Sequence, residues 1–126
     1  LVHGSPRKNN EDILPDTPLS EVEKMLENVD ADVVLCGHTH IPCGFQTESR
    51  KTVVNAGSIG RTFFVEPNSY PKACYLIIEV DNGSCVFQHQ FVEYDKEQAS
   101  EKLAAREFEG ADKLAGMLIN PEIRHF

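Results

Sequence analysis

Cations are scarce in this sequence: 12 lysines and arginines face 20 aspartates and glutamates, for a formal net charge of −8. A surface of that sign has little with which to displace counterions from a phosphate backbone, which argues against non-specific binding to a nucleic-acid polymer. Long apolar runs are missing too, so nothing here reads as a membrane span, and no basic-then-apolar stretch reads as a leader. A cytoplasmic location without membrane association is the resulting expectation. Cysteine is present four times, as Cys36, Cys43, Cys74 and Cys85, yet no C-x-x-C pair occurs. That spacing argues against a structural zinc knot or a disulfide framework and for reduced, largely buried thiols. Repeats and low-complexity tracts are absent. With 126 residues, 40% of them hydrophobic, the chain has the means to build one ordinary core.

The most informative stretch runs from Val33 to His40, where an apolar segment ends abruptly in Gly37, His38, Thr39 and His40. The segment reads as a buried strand that delivers two imidazoles at its carboxyl end. If the backbone stays extended, residues i and i+2 point to one side, about 6.6 Å apart, so His38 and His40 face one pocket. Such a pair suits two metal ions about 3.5–4 Å apart, one imidazole on each, and a single ion could also take both. Gly37 permits a sharp turn there, and ligands of open α/β sheets bind outside the carboxyl ends of strands.

Three elements occur in a telling order: Val2-His3-Gly-Ser-Pro6, then Gly37-His-Thr-His40, then Asn55-Ala-Gly-Ser-Ile-Gly-Arg61. Together they resemble the second half of a calcineurin-like metallophosphoesterase, in its small bacterial and archaeal phosphodiesterase branch, along about the first half of the chain. The resemblance implies that His3 and His38 bind one metal and His40 the other, with two divalent transition metals (Mn, Fe, Zn or Ni) as cofactors. It also implies that Asn55 and Ser58 lie beside the active site, as candidate substrate-binding residues. Ala56 stands where the family's Asn-Pro-Gly-Ser motif has proline. The family's remaining ligand strings, Asp-x-His, Gly-Asp and Gly-Asn-His-Asp/Glu, do not occur in these residues. The expectation is therefore the C-terminal part of a two-sheet sandwich flanked by helices, an α/β fold, whose N-terminal half, including the acid histidine, lies upstream or on another polypeptide. No catalytic residue is expected in this segment.

Leu1-Val2 reads as a strand end from which His3 projects. Residues 4–16 are rich in turn formers, and Arg7 is a candidate cation for a substrate phosphate. Thr17 is a candidate N-cap ahead of Leu19, Val22, Met25, Leu26 and Val29, which recur at helical spacing, while Glu21, Glu23 and Glu27 form the wet side. The strand, helix, strand order predicts a parallel βαβ unit. Residues 43–47 and 52–55 read as a hairpin, as do 73–80 and 84–92 around Asp81-Asn-Gly83, and both hairpins are assigned to a second sheet. Arg61 is a candidate phosphate clamp. Residues 67–71, after Phe63–Val65, read as a loop over the pocket mouth, and His89, alternating with Phe87 and Phe91, reads as a satisfied core or semi-buried histidine. Residues 1–94 are thus assigned to the domain and 95–126 to a helical tail, capped by Asp95 with Gln98 in a capping box. The tail is free to pack on its own domain, mediate a homo-oligomer or cover the site. His125 is expected to lie in a frayed end.

The leading functional expectation is hydrolysis of a small phosphodiester or phosphomonoester by a water activated between two metals. Two alternatives stand beside it: a non-catalytic protein-binding scaffold on the same fold, and a single zinc held by His3, His38 and His40.

Overall fold

The computed structural model describes residues 1–63 and 72–121. The expected loop over the pocket mouth, residues 67–71, and His125 lie outside the described residues.

The core forms where the sequence is most regularly apolar. Helix α1 (Leu19–Met25) turns Val22 and Met25 inward, and Leu26 at its C-cap follows them. They meet Val34 and Cys36 of strand β1 (Val33–Cys36) and Val53 of strand β3 (Thr52–Asn55), with Ile13 closing one side. Strand β2 (Cys43–Gln46) completes a three-stranded sheet of order β1-β3-β2. The β1 and β3 strands pair in parallel, Cys36 opposite Asn55, and β2 pairs antiparallel with β3, Cys43 opposite the same Asn55. Cys36, Asn55 and Cys43 therefore sit in one row across the sheet. On the other edge of β1, residues 2 and 3 run alongside in the same direction, through Val2 N–H to the Leu35 carbonyl (2.9 Å) and Gly37 N–H to the His3 carbonyl (2.9 Å).

Two local expectations change. The helix starts at Pro18 rather than Thr17 as N-cap, because the Thr17 hydroxyl is already committed to the turn before it and accepts from Leu14 N–H at 2.8 Å. The β2–β3 hairpin joins β1's sheet instead of a second one, because Val53 and Val54 point to opposite faces and both are buried, as suits the central strand of a covered sheet.

The second sheet is a single hairpin, β4 (Ala73–Asp81) and β5 (Ser84–Val92), turned by Asn82 and Gly83, both in the left-handed region. Its apolar residues are exposed to a degree foreign to the first sheet, Val80 by 70% and Phe91 by 57%. A cleft of about 400 Å³ separates β2 and β3 from Cys85, Phe87 and His89 of β5.

Helices α2 (Lys96–Ala104) and α3 (Ala111–Ile119) pack on each other, with Ala111 and Ala115 buried. The Ser100 hydroxyl donates to the Ala115 carbonyl at 2.9 Å. Asp95 caps α2 by accepting from Gln98 N–H at 2.8 Å, but the Gln98 side chain accepts from Lys102 Nζ (2.7 Å) in place of a reciprocal capping bond.

Candidate metal centre

Strand β1 stops at Cys36, and the backbone does not remain extended beyond it. His38 (φ 65°) and His40 (φ 62°) are both left-handed, with the buried Thr39 between them. Two such residues cancel the side-to-side alternation on which the extended reading relied, and the imidazoles find different neighbours. His38 Nδ1 lies 3.0 Å from His3 Nε2, while His40 Nδ1 donates to the Arg61 carbonyl at 2.9 Å. A neutral ring that donates from Nδ1 carries its lone pair at Nε2, the nitrogen a metal would use.

Left-handed backbone at two non-glycine residues carries a conformational cost, and Asn55 holds the loop in place. Its side chain, fully buried, donates to the Gly37 carbonyl (2.7 Å) and to Thr39 Oγ1 (2.9 Å), and accepts from Gly57 N–H (3.0 Å). His89 Nε2 donates to the Asn55 carbonyl at 2.7 Å, linking β5 to the same residue. His89 is thus a satisfied, half-buried histidine. Gly57 (φ 78°) is required as glycine, since a Cβ there would lie 2.9 Å from Cys74 Sγ.

His3 is fixed from the other direction. After it the chain bends at Gly4, where a Cβ would stand 2.6 Å from the Asn9 carbonyl oxygen. Ser5, almost fully buried, receives the N–H groups of Arg7 (3.0 Å) and Lys8 (3.1 Å) on its hydroxyl, which donates to Glu11. Residues 4–11 are accordingly an organised loop. Arg7 is bound to Glu11 (2.7 Å) and Glu21 (3.0 Å), tying the loop to α1. Hydrogen bonding to both carboxylates raises the guanidinium's pKa, and the Arg7 bonds in turn hold Glu11 and Glu21 below the usual carboxylate range. Arg7 thereby serves the loop's architecture rather than presenting an unpaired cation to a phosphate.

Of the other sequence candidates, Ser58 Oγ accepts from Arg61 N–H at 3.0 Å and so shapes the turn that carries Arg61. The exposed Arg61 guanidinium lies 5.5 Å from the ring centroid of Phe63, and His40 stacks obliquely at 5.9 Å from that same ring. Arg61 and His40 are thus neighbours on one buried phenyl platform. Asn55 lies in the buried sheet and supports the site from beneath. One residue was not singled out from sequence: Asp12, whose carboxylate lies 3.4 Å from His38 Nε2. No periodicity marks it, because its position follows from the path of the loop.

Two nitrogens bound to one ion at right angles, each at about 2.1 Å, stand about 3.0 Å apart, so the His3–His38 spacing fits a shared metal. Among the described residues no group of three His, Cys, Asp or Glu side chains is placed to hold an ion. The three-histidine zinc reading is therefore unsupported, and any centre built here needs ligands from elsewhere.

The model of the calcineurin-like phosphoesterase superfamily domain matches residues 1–83. No curated protein matches the sequence. Among solved structures, a metallophosphoesterase from Sphaerobacter thermophilus shares the fold with a TM-score of 0.67 and 22% identity over 94% of this chain and 52% of that one. The chain thus spans about half the length of the structure it matches, and the likeness includes most of the helical tail. With the family match extending through both histidine elements and the Asn55 turn, the chain belongs to the calcineurin-like phosphoesterase superfamily.

Proposed function

We propose that this chain supplies the C-terminal portion of a metal-dependent phosphoesterase that hydrolyses a small phosphate mono- or diester. The observation that carries the reading is the 3.0 Å approach of His3 Nε2 to His38 Nδ1 beside a left-handed loop locked by Asn55. Two imidazoles from separate segments brought that close, one of them on a loop with left-handed backbone, suit ligation of a shared ion.

In this reading His3 and His38 hold one ion through those two nitrogens, and His40 holds a second through Nε2. The Asp12 carboxylate, 3.4 Å from His38 Nε2, favours the tautomer protonated there, which exposes Nδ1. The Arg61 carbonyl does the same for His40. When bound, the two ions supply an activated water and neutralise charge on the phosphate. Residues of this chain orient that centre, and Arg61 adds a cation at its rim. The remaining ligands and the acid that protonates the leaving group belong to the part of the domain outside this chain. Manganese, iron, zinc or nickel would suit a mixed imidazole and carboxylate set. Four free cysteines, two of them buried, suit a reducing, cytoplasmic setting.

The test is His38→Ala in the complete domain, assayed with bis(p-nitrophenyl) phosphate and Mn²⁺. Loss of activity by on the order of a hundredfold or more, with melting temperature retained, is expected, since even residues behind a ligand are worth 10–100-fold. Full metal-dependent activity in that variant would overturn the proposal.

A further inference from the structure

Helices α2 and α3 do not close against the 58–61 turn. Between them lies a cleft of about 410 Å³, walled by Leu103, Leu114, Met117 and Leu118 on the helical side and by Ser58 and Arg61 on the turn. We infer that this cleft receives the organic group of the phosphate ester, so that the helical tail selects substrates whose alcohol is apolar and about the size of an aromatic ring. The inference rests on the phosphoesterase reading and names the substrate class for the same site.

Three observations converge on it. The cleft adjoins the histidine loop through Arg61, which lines it, accepts the Nδ1 proton of His40 on its carbonyl and shares the Phe63 platform with that imidazole. A group seated here would thus extend from a phosphate held beside Arg61. The charge is also right. Among the described residues no carboxylate lines this cleft, and the ionised residue on its wall is an arginine, so an anion meets attraction at the rim. Finally, the walls are aliphatic on one side and polar only at the phosphate end, and the volume falls in the range of small-ligand pockets. Sugars and nucleosides would leave hydroxyls facing leucine and methionine, at a desolvation cost that an aryl or alkyl group avoids.

The complete domain, loaded with Mn²⁺, is titrated by calorimetry with phenylphosphonate and with methylphosphonate, which share the anionic head and differ only in the group the cleft would hold. Phenylphosphonate is expected to bind about tenfold more tightly, the gain from removing one ring face from water. Leu114 is 38% exposed, so Leu114→Asn keeps the fold; it should abolish the preference while leaving methylphosphonate affinity unchanged, and Leu114→Met should restore it. Equal binding of the two phosphonates to the unmodified protein would overturn the inference and leave the phosphoesterase reading standing. A Leu114→Asn variant that weakens both ligands alike would do the same. Failure of either phosphonate to bind the metal-loaded protein would overturn both.

Discussion

The two sheets of this molecule treat apolar residues in opposite ways. Around β1, β2 and β3 the core is closed: Val22 and Val53 have no exposure at all, and Ile13 has 2%. Along β4 and β5 a comparable density of large apolar side chains stands open, with Val86 and Phe91 each 57% exposed. The first region is finished by its own helix and loop. The second is a two-stranded ribbon, an arrangement marginal by itself in water, whose apolar surface a further layer would bury. In a chain about half as long as its structural relative, that layer is a natural assignment for the part of the domain we propose to lie outside it. The histidine loop and its Asn55 clamp sit in the finished region, and the openness is confined to the surfaces beside it.

Thiol chemistry should expose the contrast most strongly. Burial pushes the Cys36 thiol up to about 12 and Cys43 up to about 11. At pH 8 a thiol with a pKa near 12 is ionised to about one part in 10,000, so alkylation of Cys36 should lag behind that of an exposed cysteine by orders of magnitude. Cys85, on the open ribbon, should be modified first, as peptide mapping after timed iodoacetamide treatment will tell. Labelling of Cys36 as fast as Cys85 would mean that the first core is not closed.

Next in size is the clamp. Asn55→Leu removes three side-chain hydrogen bonds in a fully buried position and strands Gly57 N–H, while the Gly37 carbonyl keeps only its bond from Thr39 N–H. A loss of about 3 kcal/mol is expected, with metal affinity falling alongside the melting temperature. A matched pair then compares the regions directly. Val53→Ala should cost about 2 kcal/mol by burial and cavity terms, against less than about 0.5 kcal/mol for the exposed Val86→Ala. Equal losses in urea titrations would erase the distinction.

The smallest effect concerns pH. Hydrogen bonds from Arg7 hold Glu11 and Glu21 below their ordinary values, and bonds from Ser49 do so for Glu23. Depressed carboxylates contribute stability above the unfolded value near 4.5 and lose it as pH falls through their folded values. Melting temperature should therefore be insensitive to these groups at neutral pH and drop below about pH 4.5, with Arg7→Ala flattening part of that drop.

Much of the fold was legible because it is periodic. Helical spacing of Val22 and Met25, the Asp81-Asn-Gly83 turn and the Asp95 cap stand where the residues direct them, whereas Leu19, counted in the same stripe, is exposed. Sheet membership of the β2–β3 hairpin was not legible, because short apolar strands carry no label for the partner they choose, and burial of Val53 and Val54 on both faces emerges only with the assembled sheet. At the site, the histidines announce themselves by type and order, but their directions do not. An extended backbone would have aimed His38 and His40 together, whereas two left-handed residues send them to His3 and to the Arg61 carbonyl. Arg7 drew attention by its charge and Asn55 by its motif. Their partners, Glu11 and Glu21 for the one, the Gly37 carbonyl and the Thr39 hydroxyl for the other, are set by chain path rather than by composition.

The central claim is that this chain contributes ligands to two metal positions. Anomalous diffraction at the manganese edge, from crystals of the complete domain soaked in Mn²⁺, tests it most directly. The account predicts one peak within bonding distance of both His3 Nε2 and His38 Nδ1 and a second beside His40 Nε2. A single peak shared by all three imidazoles, or none near His3 and His38, would contradict it.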